Sequence, residues 1–190
     1  MKNRFVILYY LLLISILSIS CKKDLWEDMF GCDGHDLTKK TEKVEGFKKN
    51  FTVSIPGHWK TELYYDAGHS VIMTADTTRF YTDAFTLDFT VVEGKMIPPG
   101  RLLHGLDSVM RASGFSVLRD TLFQNGGMPA ALHWSRKGEA DSQIHVLQYY
   151  LIIDPEKYLQ TQCKIFGDKQ VDERLCEALA VIKTIEINKH

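Results

Sequence analysis

The chain has 190 residues, of which 45% are hydrophobic and 25% charged. This composition is ordinary for a globular protein of about one domain, and it favours neither a disordered chain nor a repeat array. The 23 basic and 24 acidic side chains nearly balance, whereas a protein that binds nucleic acid by electrostatic attraction usually has a basic excess. We therefore expect no nucleic-acid partner.

The N-terminus has the pattern of a targeting signal. Lys2 and Arg4 precede an uncharged stretch, residues 5–20, with the sequence FVILYYLLLISILSIS. As a helix this stretch would be about 24 Å long, which is shorter than the roughly 30 Å hydrocarbon core of a bilayer. A basic start, a short apolar run and small residues before Cys21 are typical of a secretory signal peptide. We predict that residues 1–20 are removed; an uncleaved membrane anchor is the alternative.

Cys21 ends a short motif, residues 17–21 (LSISC), that resembles the lipobox of bacterial lipoproteins. Ser20 is the small residue that the lipobox has before its cysteine, while Ser18 stands where Leu is commoner. The resemblance implies that Cys21 becomes the new N-terminus and carries fatty-acyl chains such as palmitate. Two or three such chains anchor a protein stably in a membrane. The prediction is a bacterial cell-envelope protein that is lipid-anchored to the outer membrane.

Residues 21–46 are predicted to be a tether between the anchor and the domain. They are rich in Lys, Asp, Glu and Gly without a sustained period, apart from one helical turn over residues 25–30. Lys22, Lys23 and Asp24 follow the cysteine. They are compatible with a signal for export to the cell surface and equally with a cluster of solvated charges, so the sequence does not decide which face of the membrane the protein occupies. A polar cluster follows, with too few ligand groups for a zinc site, and we predict no metal there: Cys32, Asp33, His35 and Asp36.

From residue 47 onwards the pattern changes to strands and helices. Alternating apolar residues predict strands, and helical spacing predicts two helices. The predicted strands are residues 51–55, 69–75, 84–92, 115–123, 128–137, 143–153 and 157–166, and the predicted helices are residues 98–113 and 169–183. This order predicts an α+β domain over residues 47–187, built on a twisted antiparallel sheet flanked by helices.

Four segments of this domain resemble the PsbP/Mog-like family. They are FTVSIPGHW from Phe51, DAFTLDF from Asp83, GMPA from Gly127, and a closing helix before Ile185. The resemblance covers residues 47–187. It implies an α-β-α sandwich fold and a function that is mostly non-catalytic. Members of the family stabilise membrane complexes or bind protein partners, and it supplies no shared catalytic residue to transfer.

Two histidines on the central predicted hairpin are candidates for a site. A four-residue loop over residues 138–141 would pair Lys137 with Ser142, so that Trp134 faces His145. In this register His133 and His145 point to opposite faces and cannot share a metal ion. A slip by one residue would pair them, yet two ligands remain too few, so no metal or cofactor is predicted.

Two further cysteines allow a disulfide bond. Cys163 lies roughly 10 Å before the end of its strand, and Cys176 lies roughly 10 Å into the last helix, which must fold back over the sheet. The two cysteines would then lie at a similar distance from the same end of the sheet, which would allow a Cys163–Cys176 bond in an oxidising envelope. Two separately buried thiols are the alternative, and with Cys21 lipidated Cys32 would be left unpaired.

The sequence contains none of the common catalytic motifs, so we predict a protein that is not an enzyme. The predicted function is to bind a protein partner or to stabilise a membrane-associated assembly. The predicted contact is the tip of a hairpin, Arg79, Phe80 and Tyr81, because arginine and aromatic residues are enriched at binding hot spots. The alternative is a small-molecule-binding lipoprotein with a pocket between the sheet and the helix at residues 102–110.

Overall fold

The structure is a computed structural model that describes residues 25–32, 37 and 40–188. The predicted signal peptide, Cys21 and most of the polar cluster that follows it lie outside these residues. The chain divides into two compact units, Met1–Asp33 and Gly34–His190, which are described separately. No helix within the described ranges has both the length and the apolar composition needed to span a membrane.

The described part of the first unit is a single short helix, α1 (Leu25–Phe30). The Trp26 ring is buried and stacks on Phe30, with 6.4 Å between the ring centroids. The helix confirms the single turn expected over residues 25–30. Cys32 follows it and is disulfide-bonded, so the expectation of an unpaired cysteine here was wrong.

The second unit contains ten strands and two α-helices within the described residues. In chain order they are β1 (Thr41–Glu45), β2 (Phe51–Pro56), β3 (Lys60–Tyr65), β4 (His69–Ala75), β5 (Phe85–Glu93), α2 (Pro99–Ala112), β6 (Ser116–Asn125), β7 (Met128–Lys137), β8 (Ile144–Asp154), β9 (Lys157–Phe166), α3 (Val171–Ile182) and β10 (Glu186–Ile187). They form a small sheet, β1-β2-β10, and a large sheet, β3-β4-β5-β9-β8-β7-β6. All pairings are antiparallel, which confirms the predicted α+β class.

One face of the large sheet carries the main core. Alternate residues of β5 and β9 are almost fully buried on this face: Phe85, Leu87, Phe89, Val91, Leu159, Thr161, Cys163 and Ile165. Helix α3 packs against β9 and against β2 of the small sheet, so these elements cover this face. An alternating strand pattern therefore produces one apolar face.

Helix α2 covers part of the opposite face. It begins at Pro99, whose fixed φ suits the first helical turn. It ends before Gly114, which has a φ of +83° that a residue with a side chain would adopt at a cost. Leu103 packs on Ala131 and Tyr150, so side chains fill the space between this helix and the sheet.

The central hairpin differs from its predicted register by two residues. Its connection is longer than predicted because it contains a short 3-10 helix, Ala140–Ser142, and Lys137 pairs with Ile144. Trp134 therefore faces Leu147, and His145 faces Arg136. A shift of two residues keeps every side chain on its face. The prediction that His133 and His145 lie on opposite faces is confirmed.

Three strands were not predicted. Strand β3 forms an edge of the large sheet and is largely exposed on both sides, so it lacks the alternation that marks a half-buried strand. Strand β1 pairs with β2 and lies within the stretch that was predicted to be a tether. Strand β10 has two residues, too few for any periodicity. The folded unit therefore starts earlier than residue 47.

The Cys163–Cys176 bond that the sequence allowed is not formed. Cys176 is disulfide-bonded, whereas Cys163 keeps a free, buried thiol. Cys163 lies in the middle of the large sheet between Leu87 and Leu147, and burial raises the pKa of its thiol well above the ordinary value. A thiol that stays protonated among apolar neighbours is a poor candidate for disulfide chemistry.

Candidate functional site

The predicted partner contact lies in the connection between β4 and β5, at residues 76–84, which we call the Phe80 loop. Phe80 is 83% exposed, more than any other large apolar side chain within the described residues. Tyr81 begins a short 3-10 helix, Tyr81–Asp83. The Arg79 side chain turns back towards the protein, so Arg79 and Phe80 do not form one exposed contact as predicted. The loop exposes Phe80 to solvent, and neighbouring residues fix the loop on both sides of Phe80.

Asp76 organises the first half of the loop and is only 4% exposed. Its carboxylate accepts hydrogen bonds from the backbone N–H of Thr78 at 3.0 Å, from the Thr78 hydroxyl at 2.5 Å and from Arg79 Nε at 3.1 Å. Burial would raise the pKa of Asp76, but these donors outweigh it and hold the pKa below its ordinary value. The carboxylate therefore stays ionised and fixes the turn.

Arg79 ties the loop to helix α3. Its second guanidinium nitrogen, Nη2, donates to Glu177 Oε2 at 2.5 Å. The guanidinium also lies over the ring of Phe85, 5.4 Å from the centroid, and Trp59 packs edge-on against the same ring at 5.2 Å. Arg79 thus positions the loop, while the Phe80 side chain is exposed to solvent.

The second half of the loop is held by close backbone contacts. Gly167 has a φ of +76°, and a Cβ atom placed there would lie 2.2 Å from the carbonyl oxygen of Thr82. The backbone N–H of Phe166 donates to the carbonyl of Ala84 at 3.1 Å. Arg174, 2% exposed, donates to the same carbonyl at 3.2 Å. The loop is therefore fixed at both ends before any partner arrives.

A cleft of about 420 Å³ opens beside the loop, between it and the start of α3. Its charged lining residues include Arg79 and Arg174, both of which are bound within the protein as described above. Asp83 and Glu173 also line it, and neither has an ion-pair partner within the described residues. Two available carboxylates thus lie close to an exposed phenylalanine.

The sequence contained a signal for the anchor of this loop. The run Asp76-Thr77-Thr78 is typical of a turn in which an aspartate side chain binds the backbone two residues on. Arg174 and Gly167 gave no such signal, because their partners are distant in sequence. The loop's preorganisation was therefore only partly readable from the residues.

The alternative pocket between the sheet and α2 has few polar groups. A cleft of about 360 Å³ opens at the start of this helix, and its lining is apolar apart from Gln124. A small-molecule site usually combines apolar walls with several convergent polar groups. This cleft lacks that combination, and the helix farther along is packed against the sheet.

The two candidate histidines are separate, buried side chains. His133 is fully buried, and its Nδ1 lies 2.6 Å from Asp120 Oδ1. His145 Nε2 lies 3.0 Å from Gln143 Oε1, and burial lowers the pKa of His145, with Arg136 and Arg174 adding to the effect. Within the part of the chain that the structure describes, no three metal-ligating side chains come together.

Comparisons with known proteins identify structures that have a similar fold. Neither a protein-family model nor the sequence of a curated protein matches this chain. In three dimensions it is similar to cyanobacterial PsbP (CyanoP) from Synechocystis sp. PCC 6803, with a TM-score of 0.58 and 14% identity over 83% of this chain and 97% of that one.

Two further solved structures are similar to this chain in three dimensions. LpqN, involved in cell envelope biogenesis of Mycobacterium tuberculosis, has a TM-score of 0.54 and 14% identity over 79% of this chain and 91% of its own. The Ran-binding protein Mog1p of Saccharomyces cerevisiae has a TM-score of 0.52 and 8% identity over 79% and 96%. At such identities the similarity establishes the fold alone: the second unit has the PsbP/Mog-like α+β fold.

Proposed function

We propose that this chain is a lipid-anchored protein of the bacterial cell envelope, attached to the outer membrane, whose PsbP/Mog-like domain binds a protein partner without catalysis. The observation that carries the proposal is Phe80, an almost fully exposed aromatic side chain on a loop fixed at both ends. A protein that needed Phe80 only for its own stability would bury it.

The preorganisation of the loop supports a binding role. Association costs free energy when loops and side chains become ordered at an interface, and a loop that is already fixed avoids much of that cost. Asp76, Arg79 and Gly167 provide this order in the free protein. Exposed aromatic residues on such a base are typical anchors that enter a pocket on the partner.

The nearby charges indicate what the partner presents. Asp83 and Glu173 have no ion-pair partner within the described residues, and they line the cleft beside the loop. A partner with an apolar pocket for Phe80 and a lysine or arginine at its rim would match both features. The structural neighbours fit this role, because Mog1p is a Ran-binding protein and LpqN is involved in envelope biogenesis.

Replacement of Phe80 by Ala is expected to weaken partner binding by about 2 kcal/mol, or roughly 30-fold, because a hot-spot anchor would be lost. Crosslinking in native membranes identifies the partner, and titration of purified variants measures its affinity. Val109→Ala is the matched control, since Val109 is another exposed apolar residue, on α2. Equal affinity of Phe80→Ala and the wild type for every crosslinked protein would contradict the proposal.

Replacement of Cys21 by Ser is expected to abolish both labelling with radioactive palmitate and recovery in the outer-membrane fraction, because the acyl chains attach to this thiol in the lipobox. Ser18→Leu, which introduces the commoner lipobox residue, should keep the label. If Cys21→Ser stayed in the outer-membrane fraction with its label intact, the lipid anchor at this residue would be refuted.

A further inference from the structure

A cleft of about 610 Å³ lies at the end of the large sheet opposite the Phe80 loop. Two hairpin tips, residues 125–128 and 154–157, meet there with the start of β2 and the end of β10. Strand β9 runs from this cleft to the Phe80 loop, a distance of about 30 Å.

Asn50 forms part of the cleft wall and is only 7% exposed. Both of its side-chain atoms, Nδ2 and Oδ1, lack a hydrogen-bond partner within the described residues. A buried amide with its donor and its acceptor both unused is uncommon in a folded protein.

The backbone around Asn50 holds this amide in place. The Asn50 carbonyl accepts from the backbone N–H of Asn188 at 3.0 Å, and the Asn188 side chain donates to the carbonyl of Lys49 at 2.8 Å. Lys49 has a φ of +56°, which completes the tight connection between β1 and β2. The next residue, Phe51, is fully buried. The Asn50 side chain therefore starts from a fixed backbone.

The rest of the cleft combines apolar walls with opposite charges. Met128, Ile153 and Ile187 contribute apolar surface. Asp154 and Lys157 face each other in the register of β8 and β9 without forming an ion pair in the described structure. One Asp154 oxygen accepts from the backbone N–H of Glu156 at 2.8 Å, which leaves the other oxygen for a ligand.

We infer that this cleft binds a short peptide in an extended conformation. In an extended chain the N–H and C=O of one residue point to the same side, as they do in the hydrogen-bonded pairs of an antiparallel sheet. That donor and acceptor complement the unused acceptor and donor of Asn50. The apolar walls accommodate a branched aliphatic side chain, while Lys157 and Asp154 complement the carboxylate and ammonium ends of the peptide.

The test is calorimetric titration of the full chain, in mild detergent, with the tripeptide alanyl-leucyl-alanine, whose middle residue carries both an amide N–H and an amide C=O. Saturable binding is expected, and free leucine should bind at least tenfold more weakly, because it has both charged ends and the side chain but no peptide group. Absence of saturable binding up to about 10 mM tripeptide would overturn the inference, as would equal affinity for free leucine.

Two variants test the role of Asn50. Asn50→Leu, of similar shape, should weaken tripeptide binding at least tenfold without lowering the melting temperature, because no existing hydrogen bond is lost. Gln124→Leu is the control: this exposed amide on the β6–β7 hairpin, whose tip forms part of the cleft, does not itself line the cleft and should leave binding unchanged. Unchanged tripeptide affinity in folded Asn50→Leu would overturn the inference.

A second approach covers the case in which Asn50→Leu fails to fold. Met128→Trp should fill the cleft and abolish tripeptide binding while Asn50 stays in place. In the wild type, alanyl-leucyl-alanine should shift the NMR signals of the Asn50 side-chain N–H₂ group. Undisturbed signals at saturation would overturn the inference. Phe80→Ala, at the other end of the sheet, should bind the tripeptide normally, so a failure here is distinct from a failure of the proposed partner site.

Discussion

Replacement of Arg174 by Met is expected to reduce the free energy of unfolding by about 4 kcal/mol. The guanidinium is almost fully buried and donates to four backbone carbonyls at the junction of β5, β9 and α3: Ala84, Phe166, Lys169 and Gln170. A hydrogen bond to a charged group contributes about 1.5–3 kcal/mol. The Ala84 and Gln170 carbonyls each keep a backbone N–H donor, so the loss comes mainly from the bonds to Phe166 and Lys169. The loss would be a large share of the roughly 5–15 kcal/mol that stabilises a typical domain.

Urea unfolding of matched variants measures this effect. Arg174→Lys is the control, because it keeps the positive charge but cannot reach four carbonyls with one ammonium group, so we expect an intermediate loss of about 2 kcal/mol. A value for Arg174→Met within about 1 kcal/mol of the wild type would show that these carbonyls find other donors, contrary to this account.

Replacement of Gly167 by Ala is expected to cost about 3 kcal/mol of stability. An alanine at a φ of +76° pays about 1–2 kcal/mol for the left-handed backbone conformation alone. Its Cβ would also lie 2.2 Å from the carbonyl oxygen of Thr82, so the Phe80 loop has to move away. The same variant should therefore weaken partner binding, since it displaces the loop that presents Phe80.

Gly126→Ala separates the two contributions. Gly126 has a φ of +58°, but a Cβ atom there would have no neighbour within 4 Å. Its expected cost is about 1 kcal/mol, from the backbone conformation only. Thermal unfolding of both variants gives the difference that belongs to the contact with Thr82. Equal losses in the two variants would show that the loop absorbs the added methyl group without strain.

The sequence predicted elements whose residues alternate or repeat locally. Strand β5 is an example, since every second residue from Phe85 to Val91 is apolar and is buried in the structure. Helix α2 is another, because Pro99 and Gly114 mark its ends. Strand β3 escaped prediction because it is exposed on both sides, and the β7–β8 register escaped it because a short 3-10 helix lengthens the connection.

The candidate sites depend on contacts between distant residues, which local patterns do not encode. The exposed position of Phe80 was anticipated, yet Arg79 pairs with Glu177, nearly one hundred residues later in the chain. The Asn50 cleft is formed by two hairpin tips and the small sheet, so no single segment carries a motif for it. The pairing of Cys176 could not be predicted for the same reason: similar distances of Cys163 and Cys176 from the end of the sheet allow a bond between them but do not determine which thiols meet.

The edge of the large sheet at strand β3 affects how this protein associates at high concentration. Strand β3 has its free side towards solvent, and such edges tend to recruit other strands into aggregates. Here Glu62 binds Lys60 at 2.6 Å and also accepts a hydrogen bond from the Tyr64 hydroxyl. A second copy that paired along β3 would have to dehydrate this charged group. Copies brought close together at high concentration would then remain separate molecules.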